Sequence, residues 1–98
     1  LRAVELAPEN PEILFDLGET LEQIGVLHMN NKYLDSAIQT YKMVVNLMPN
    51  NASAWNHIGV CMKEMGKLEE SKFYFTRARD IHLWKKDTPV VRRRDEYL

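Results

Sequence analysis

Apolar residues recur at steps of three and four through the first part of this chain, which is the period of an amphipathic helix. The run consists of Leu14, Leu17, Leu21 and Ile24. It follows Asn10-Pro11-Glu12, where Asn can cap free amides, Pro suits the first helical position and Glu complements the helix dipole. The pattern predicts one long helix over about residues 11–29.

The same reasoning predicts three further helices and a short final one. After a turn at 30–33, helical periodicity covers 34–48, then 52–65 and 68–86. Asp87-Thr88-Pro89 then has the composition of a helix cap and restart, so we expect a separate short helix after it. With no strand pattern in the chain, the fold class predicted is all-α.

Two consecutive blocks of 34 residues, 18–51 and 52–85, carry one order of small and apolar residues. In the second block these are Trp55, Ile58, Gly59, Met62, Ser71, Phe75 and Ala78; in the first they are Leu21, Ile24, Gly25, His28, Ala37, Tyr41, Val44 and Pro49. Leu17-Gly18 is a rival for the Ile24-Gly25 pair, but it would force seven extra residues into the turn near Asn30. We therefore interpret residues 11–17 as two extra turns at the start of the first helix.

This order resembles the tetratricopeptide repeat, W-x₂-L-G-x₂-Y followed by A-x₃-F and P, with a period of 34 residues. The resemblance implies a right-handed α-α superhelix, a solenoid of antiparallel helix pairs. It divides the chain into the end of a preceding repeat (1–10), a repeat with an N-terminally extended first helix (11–51), a second full repeat (52–86), and a capping helix or the start of a further repeat (87–98). We accordingly expect an excerpt from a longer array.

Charge is balanced overall but unevenly distributed. The net charge of −1 gives no global field toward nucleic acid or a membrane. The charged residues of 9–23 are all acidic, whereas those of 85–94 are all basic except for Asp87. The Arg92-Arg93-Arg94 run could contact nucleic acid or an acidic protein, although three arginines without interleaved aromatics are a weak signal, and we favour arginines that face water.

Catalytic and metal-binding patterns are missing from the sequence. It has no Gly-rich phosphate loop and no helical His-Glu zinc motif. His57 and Cys61 are four residues apart, but two ligands fall short of a zinc site, and we expect Cys61 in the core. We predict no enzyme activity, no cofactor and no metal. We also expect no membrane insertion, since no apolar run approaches about 20 residues, and the single cysteine favours a reducing, cytoplasmic compartment.

The family resemblance also implies a binding face, because the first helix of each repeat lines the inner groove. Carried onto this sequence, that face consists of Glu12, Phe15, Asp16, Glu19, Glu22, Gln23, Val26, Asn56, His57, Val60, Lys63 and Glu64. Four of these residues, Glu12, Asp16, Glu19 and Glu22, form an acidic ridge. The ridge is either a solvated helix face or a surface that selects a basic peptide or a neighbour's basic surface.

The implied function is a non-catalytic scaffold for protein–protein interaction within a larger assembly. Co-chaperones of this family hold the acidic C-terminal tail of heat-shock chaperones through Lys and Asn, but those positions here hold Glu22, Val26 and His57, which argues against that role. Two alternatives are a regulatory region attached to an enzyme domain outside this chain, and a helical-repeat RNA binder, which the acidic ridge disfavours. The identity of the partner does not follow from the sequence.

Overall fold

Within residues 10–97, four helices are arranged as two antiparallel pairs. The computed structural model describes the backbone of residues 10–97 and the side chains of residues 10–82. In chain order the helices are α1 (Pro11–Leu27), α2 (Asn31–Leu47), α3 (Ala52–Glu64) and α4 (Leu68–Tyr97). Each pair packs along its length, and α2 also packs on α3. The predicted all-α class is confirmed, whereas the predicted end of a preceding repeat lies outside the described residues apart from Asn10.

Asparagine side chains begin three of the four helices. The Asn10 side-chain oxygen accepts from the amide of Glu12 at 3.0 Å, and Asn30 caps α2 in the same way at 2.8 Å. Asn51 caps α3 by accepting from the amide of Ala54 at 3.1 Å. Such a cap contributes about 1 kcal/mol by satisfying an amide that has no partner within its helix. The cap predicted at Asn10 is confirmed.

The core lies mainly between α2 and α3. Its buried members are Leu34, Ala37, Ile38 and Tyr41 from α2 with Ile58, Cys61 and Met62 from α3. Burial of a large apolar side chain such as Leu34 or Ile58 contributes roughly 1.5–3 kcal/mol to stability. The junction between the two helix pairs is therefore a packed interior, which fixes α1 and α3 relative to one another. Cys61 belongs to this core, as predicted.

Both pairs turn in the same way. Three residues, 28–30 or 65–67, connect the helices in each pair. The middle residue of each turn is left-handed, with a φ of 49° at Met29 and 85° at Gly66. The amide of the following residue then donates to a carbonyl five residues back, at 2.9 Å after α1 and 2.8 Å after α3. This is the Schellman ending of a helix, which normally uses glycine at the left-handed position.

The glycine contacts correct the alignment of the two repeats. A Cβ added to Gly59 would lie 2.9 Å from the ring of Phe75, and one added to Gly18 would lie 2.7 Å from the ring of Tyr41. Tyr41 and Phe75 are 34 residues apart, but Gly18 and Gly59 are 41 apart. In space, Gly18 is thus the counterpart of Gly59. Gly25, the position preferred from the sequence pattern, also packs closely across its pair, but nearer the turn.

The seven additional residues lengthen both helices of the first pair at the turn. Helix α1 continues nine residues beyond Gly18, whereas α3 continues five beyond Gly59. Helix α2 has ten residues before Tyr41, whereas α4 has seven before Phe75. Four and three residues are each close to one helical turn of 3.6. The structure therefore has about one extra turn on each helix of the first pair, next to the connection, in place of the extension predicted at the start of α1. The connecting turn has the same length in both pairs. The unit bounds 11–51 and 52–86 stay a prediction.

The last helix also differs from the sequence-based expectation. Asp87-Thr88-Pro89 was predicted to end one helix and cap another, but α4 is continuous from Leu68 to Tyr97. A proline inside a helix removes one amide donor from the helical ladder, which can kink the helix without ending it. Over 87–97 the structure thus shows a continuation of α4 where a separate helix was expected.

Candidate partner-binding face

The predicted inner face is divided between α1 and α3. The α1 members are Glu12, Phe15, Asp16, Glu19, Glu22, Gln23 and Val26; the α3 members are Asn56, His57, Val60, Lys63 and Glu64. Most of these side chains are exposed, with Phe15, Glu19, Glu22, His57 and Val60 half-buried. The two helices meet where the half-buried side chains Phe15, Glu22 and His57 lie.

A carboxylate shared by two partners joins α1 to the rest of the molecule. Glu22 Oε1 accepts a hydrogen bond from the Tyr41 hydroxyl at 2.8 Å and lies 2.9 Å from Nδ1 of His57. Tyr41 belongs to α2 and His57 to α3, so this one side chain contacts both other helices at the junction. Glu19 Oε2 lies farther away, 4.0 Å from Nε2 of His57. Glu22 is the central group of the cluster.

Aromatic rings enclose the imidazole of His57. The Tyr41 ring is stacked on it with a centroid distance of 5.1 Å, and the Phe15 ring meets it edge-on at 5.4 Å. Such ring pairs contribute about 0.5–1.5 kcal/mol beyond the area they bury. The rings also keep water from much of the Glu22–His57 contact, which strengthens the attraction between the two groups.

The shared hydrogen bonds shift the pKa of each group in the cluster. Burial alone would raise the pKa of Glu22, but hydrogen bonds from His57 and Tyr41 outweigh it and lower the pKa below 4.5. The hydrogen bond to Glu22 raises the pKa of His57 above 6.5 in spite of burial. Burial and the nearby carboxylate raise the pKa of Tyr41. The arrangement therefore favours a carboxylate and an imidazolium with a neutral phenol.

This geometry separates the acidic ridge into two parts. Glu22 is engaged in the interior, with only 14% of its side chain exposed. Glu12 and Asp16 are exposed, and Glu19 is 42% exposed beside His57. Three carboxylates of the predicted ridge thus face solvent, and the fourth holds the helix pairs together.

A depression of about 490 Å³ adjoins the exposed carboxylates at the start of α1. It is lined by Pro11, Glu12, Phe15 and Asp16 from α1, and by Met48, Asn51 and Ser53 beside the start of α3. The apolar part of the lining suits an alkyl chain, and the two carboxylates lie beside it. Lysine and arginine combine an alkyl stem with a charged end in this way.

Two features of the inner face were not predicted from the sequence. Tyr41 was recognised as a position of the repeat pattern but not as a hydrogen-bond donor, and nothing in the sequence relates it to Glu22, 19 residues away. The exposed apolar residues Leu27, Met29 and Tyr33 at the first turn were also missed. The first helix pair has seven more residues around its turn than the second, and this difference in length was the signal that could have revealed the apolar residues there.

Chemistry other than binding finds little support in the part of the chain that the structure describes. Among those residues, no three His, Cys, Asp or Glu side chains are grouped to hold a metal ion. The Cys61 thiol is buried, and burial first, then the charges of Glu22 and Glu64, raise its pKa to about 12. No described helix is long and apolar enough to cross a bilayer.

Paired antiparallel helices of similar geometry, joined by short turns and with glycine facing an aromatic ring, define a helical-repeat protein. Residues 52–81 match the family model for the tetratricopeptide repeat. This match confirms the predicted resemblance to the tetratricopeptide repeat.

Curated relatives have different overall roles. The human protein O-mannosyl-transferase TMTC1 (Homo sapiens) is 30% identical over 77 residues, covering 79% of this chain and 8% of that protein. The photosystem I assembly protein Ycf3 of Prochlorococcus marinus (strain MIT 9211) is 29% identical over 80 residues, covering 74% of this chain and 44% of that protein. Ycf3 of Synechococcus sp. (strain WH7803) is 30% identical over 64 residues, covering 65% and 35%. The chain spans less than half of each relative, and no solved structure matches it significantly.

Proposed function

We propose that this chain is a non-catalytic interaction module whose inner face binds a basic segment of a partner protein. The observation that carries the proposal is the solvent-facing row of Glu12, Asp16 and Glu19 beside an apolar depression. A basic side chain can lay its alkyl stem over Phe15 and Met48 while its charged end meets Glu12 or Asp16. The predicted residues on α3 supply the opposite side of the face.

The negative charge of this face also disfavours acidic peptides and nucleic acids as partners. An acidic peptide tail would meet three exposed carboxylates, and like charges at close range cost free energy. The same repulsion acts on the phosphates of a nucleic acid, which are bound by basic surfaces. A basic protein segment is the class of partner that gains most from this surface.

The names of the relatives support a role within a larger assembly. Ycf3 is named as an assembly protein, and a scaffold that orders other proteins is consistent with that name. TMTC1 is named as a transferase, but the chain corresponds to only 8% of it, which supports the second candidate, a regulatory region joined to an enzyme. Under either candidate, the chain itself contributes binding rather than chemistry.

Charge reversal with a matched control tests the proposal. A fluorescein-labelled peptide with an Arg pair in a Gly/Ser background serves as the probe in anisotropy titrations. Replacing Glu12 and Asp16 by Lys should abolish binding, and binding to the unaltered chain should weaken as salt is raised to about 0.5 M. Glu69→Lys with Glu70→Lys changes the net charge equally on α4 and should retain binding, since both positions lie outside the inner face. Equal loss in both double variants, or no binding by any form, would refute the proposal.

A further inference from the structure

The free end of the α1–α2 pair carries exposed apolar side chains. We define the hairpin tip as Val26 and Leu27 at the end of α1, Met29 in the turn, and Tyr33 in the first turn of α2. Leu27 is 76% exposed and Met29 is 88% exposed, and the other two are each exposed by more than two fifths. Apolar groups concentrated at one end of a soluble fold are characteristic of contact surfaces.

The equivalent end of the second pair is different. There the exposed positions are Lys63, Glu64, Gly66, Lys67 and Leu68, so Leu68 is the one large apolar side chain exposed, and Met65 is half-buried. The second pair also lacks the extra helical turn. The first tip, which has the additional length, thus exposes four apolar side chains against one at the second.

Among the residues of the hairpin tip, Met29 has the backbone conformation and side-chain position that contribute least to the stability of the fold. It adopts a φ of 49°, in the left-handed region where glycine is preferred and where Gly66 serves the second turn. A side chain that is 88% exposed adds almost nothing to the core in return for that strain. Backbone strain of this kind is typical of positions that function, rather than folding, has selected.

The tip continues the row of carboxylates along one helix. From Asp16, steps of three and four residues lead through Glu19 and Gln23 to Val26, so these side chains follow one face of α1. A shallow depression of about 460 Å³, lined by Glu22, Gln23, Val26 and Leu27, lies at its apolar end. Asp16 and Leu27 are about 16 Å apart at 1.5 Å per helical residue, which an extended peptide covers with about five residues.

We propose that the hairpin tip is a second contact for the same partner segment that the carboxylates bind. An extended segment places basic side chains at Asp16 and Glu19 and, about five positions away, a large apolar side chain at Val26, Leu27 and Met29. This inference rests on the proposed function and adds a spacing requirement to it.

Other occupants of the tip fit less well. Val26 and Tyr33 are each only about two fifths exposed, so the four side chains offer less than the ~800 Å² that each partner contributes to a standard interface, and two tips alone make a poor dimer contact. An anionic membrane surface would meet the carboxylates on the same face of α1, which opposes its approach. A short segment that is basic at one end and apolar at the other satisfies both parts of the surface.

The probes are labelled twelve-residue peptides on a Gly/Ser background. One carries only an Arg pair, and the others add a Leu-Phe pair two, five or eight positions from it. We expect the spacing of five to bind about tenfold or more tightly than the Arg-only peptide, because burial of one large apolar side chain has an effect of this size. The other two spacings should gain less.

Variants of the chain locate the gain. Leu27→Ser with Met29→Gly removes apolar surface, and glycine suits the left-handed position, so the fold should be retained and its Tm should not fall. The matched control is Leu68→Ser with Phe73→Ser, which removes exposed apolar side chains from α4. The gain from the Leu-Phe pair should vanish in the tip variant and persist in the control, while both variants bind the Arg-only peptide like the unaltered chain.

Five results would overturn the inference. If the Leu-Phe pair adds nothing, adds equally at every spacing, or adds equally in the tip variant, the tip is not part of the site and the proposed function stands. If no Arg-containing peptide binds, the proposed function fails and the inference fails with it. If phosphatidylcholine–phosphatidylserine vesicles sediment the unaltered chain but not the tip variant, and peptides show no spacing preference, the tip contacts lipid.

Discussion

Replacing Glu22 by Ala should destabilise the whole fold, although the residue belongs to a predicted binding surface. The change removes the acceptor for Tyr41 and the partner of His57, whose distances to Glu22 Oε1 are 2.8 and 2.9 Å. Hydrogen bonds to charged groups contribute about 1.5–3 kcal/mol each, and loss of the buried carboxylate's own desolvation cost offsets part of the sum. We expect a loss of about 2–4 kcal/mol in the free energy of unfolding.

Thermal unfolding followed by circular dichroism measures this loss. A domain of this size loses about 4–8 °C in Tm for each kcal/mol, so Glu22→Ala should melt roughly 10–30 °C below the unaltered chain. Glu64→Ala is the matched control, because Glu64 is exposed at the end of α3 and makes none of these contacts. A double-mutant cycle with His57→Ala should return a favourable coupling energy for the pair.

The pH dependence provides a second, independent readout. The pKa of His57 is raised above 6.5, so its contribution is complete below that pH and is lost as pH rises through the folded-state value. The pKa of Glu22 is lowered below 4.5, so its contribution is complete above that pH and is lost as pH falls through the folded-state value. The pair therefore stabilises the fold most between about pH 4.5 and 6.5.

In the Glu22→Ala chain, stability should fall much less than in the unaltered chain as pH rises above that window. If it unfolds at the same temperature as the unaltered chain, and both show the same dependence on pH, then the cluster does not hold the two helix pairs together and our reasoning is wrong.

The packing supports two further predictions. Gly18→Ala should lower stability by about 1–3 kcal/mol in urea unfolding, even though Ala favours helices by about 1 kcal/mol, because its Cβ would lie 2.7 Å from the buried Tyr41 ring. Thr20→Ala, at an exposed position of the same helix, should be neutral or stabilising, and a stabilised Gly18→Ala would contradict the contact. Cys61 should resist a thiol reagent such as DTNB at pH 8 in the folded chain and react once urea unfolds it, since its pKa is about 12 and it is fully buried; rapid reaction without urea would show that the core opens there.

Local features of this fold were predictable from the sequence, and distant pairings were not. Asn10 was identified as a cap because capping depends on residues two and three positions ahead. Cys61 was placed in the core because its spacing within α3 matches neighbouring core positions. Glu22 was assigned to the surface since its partners lie 19 and 35 residues away, and no short-range pattern relates an acidic residue to a Tyr and a His at such separations.

The alignment of the repeats was wrong for a related reason. A period of 34 counts residues along the chain, whereas packing depends on which side chains face one another across the pair. A helix lengthened by almost one turn keeps its faces pointing in nearly the same directions. The sequence pattern therefore continues through the extension without a break, and only the contact between Gly18 and Tyr41 distinguishes the two alignments.

The added turn in the first pair also determines how this part of the chain can change in length. Each residue added to or removed from one helix rotates everything beyond it by about 100°, so a change confined to α1 or α2 would turn core side chains toward water. Removing four residues from α1 together with three from α2 would leave the remaining side chains of both helices on nearly the same helix faces. The end of the hairpin is thus a detachable unit that such repeats could acquire or lose as a matched pair of segments, independently of the core that supports it.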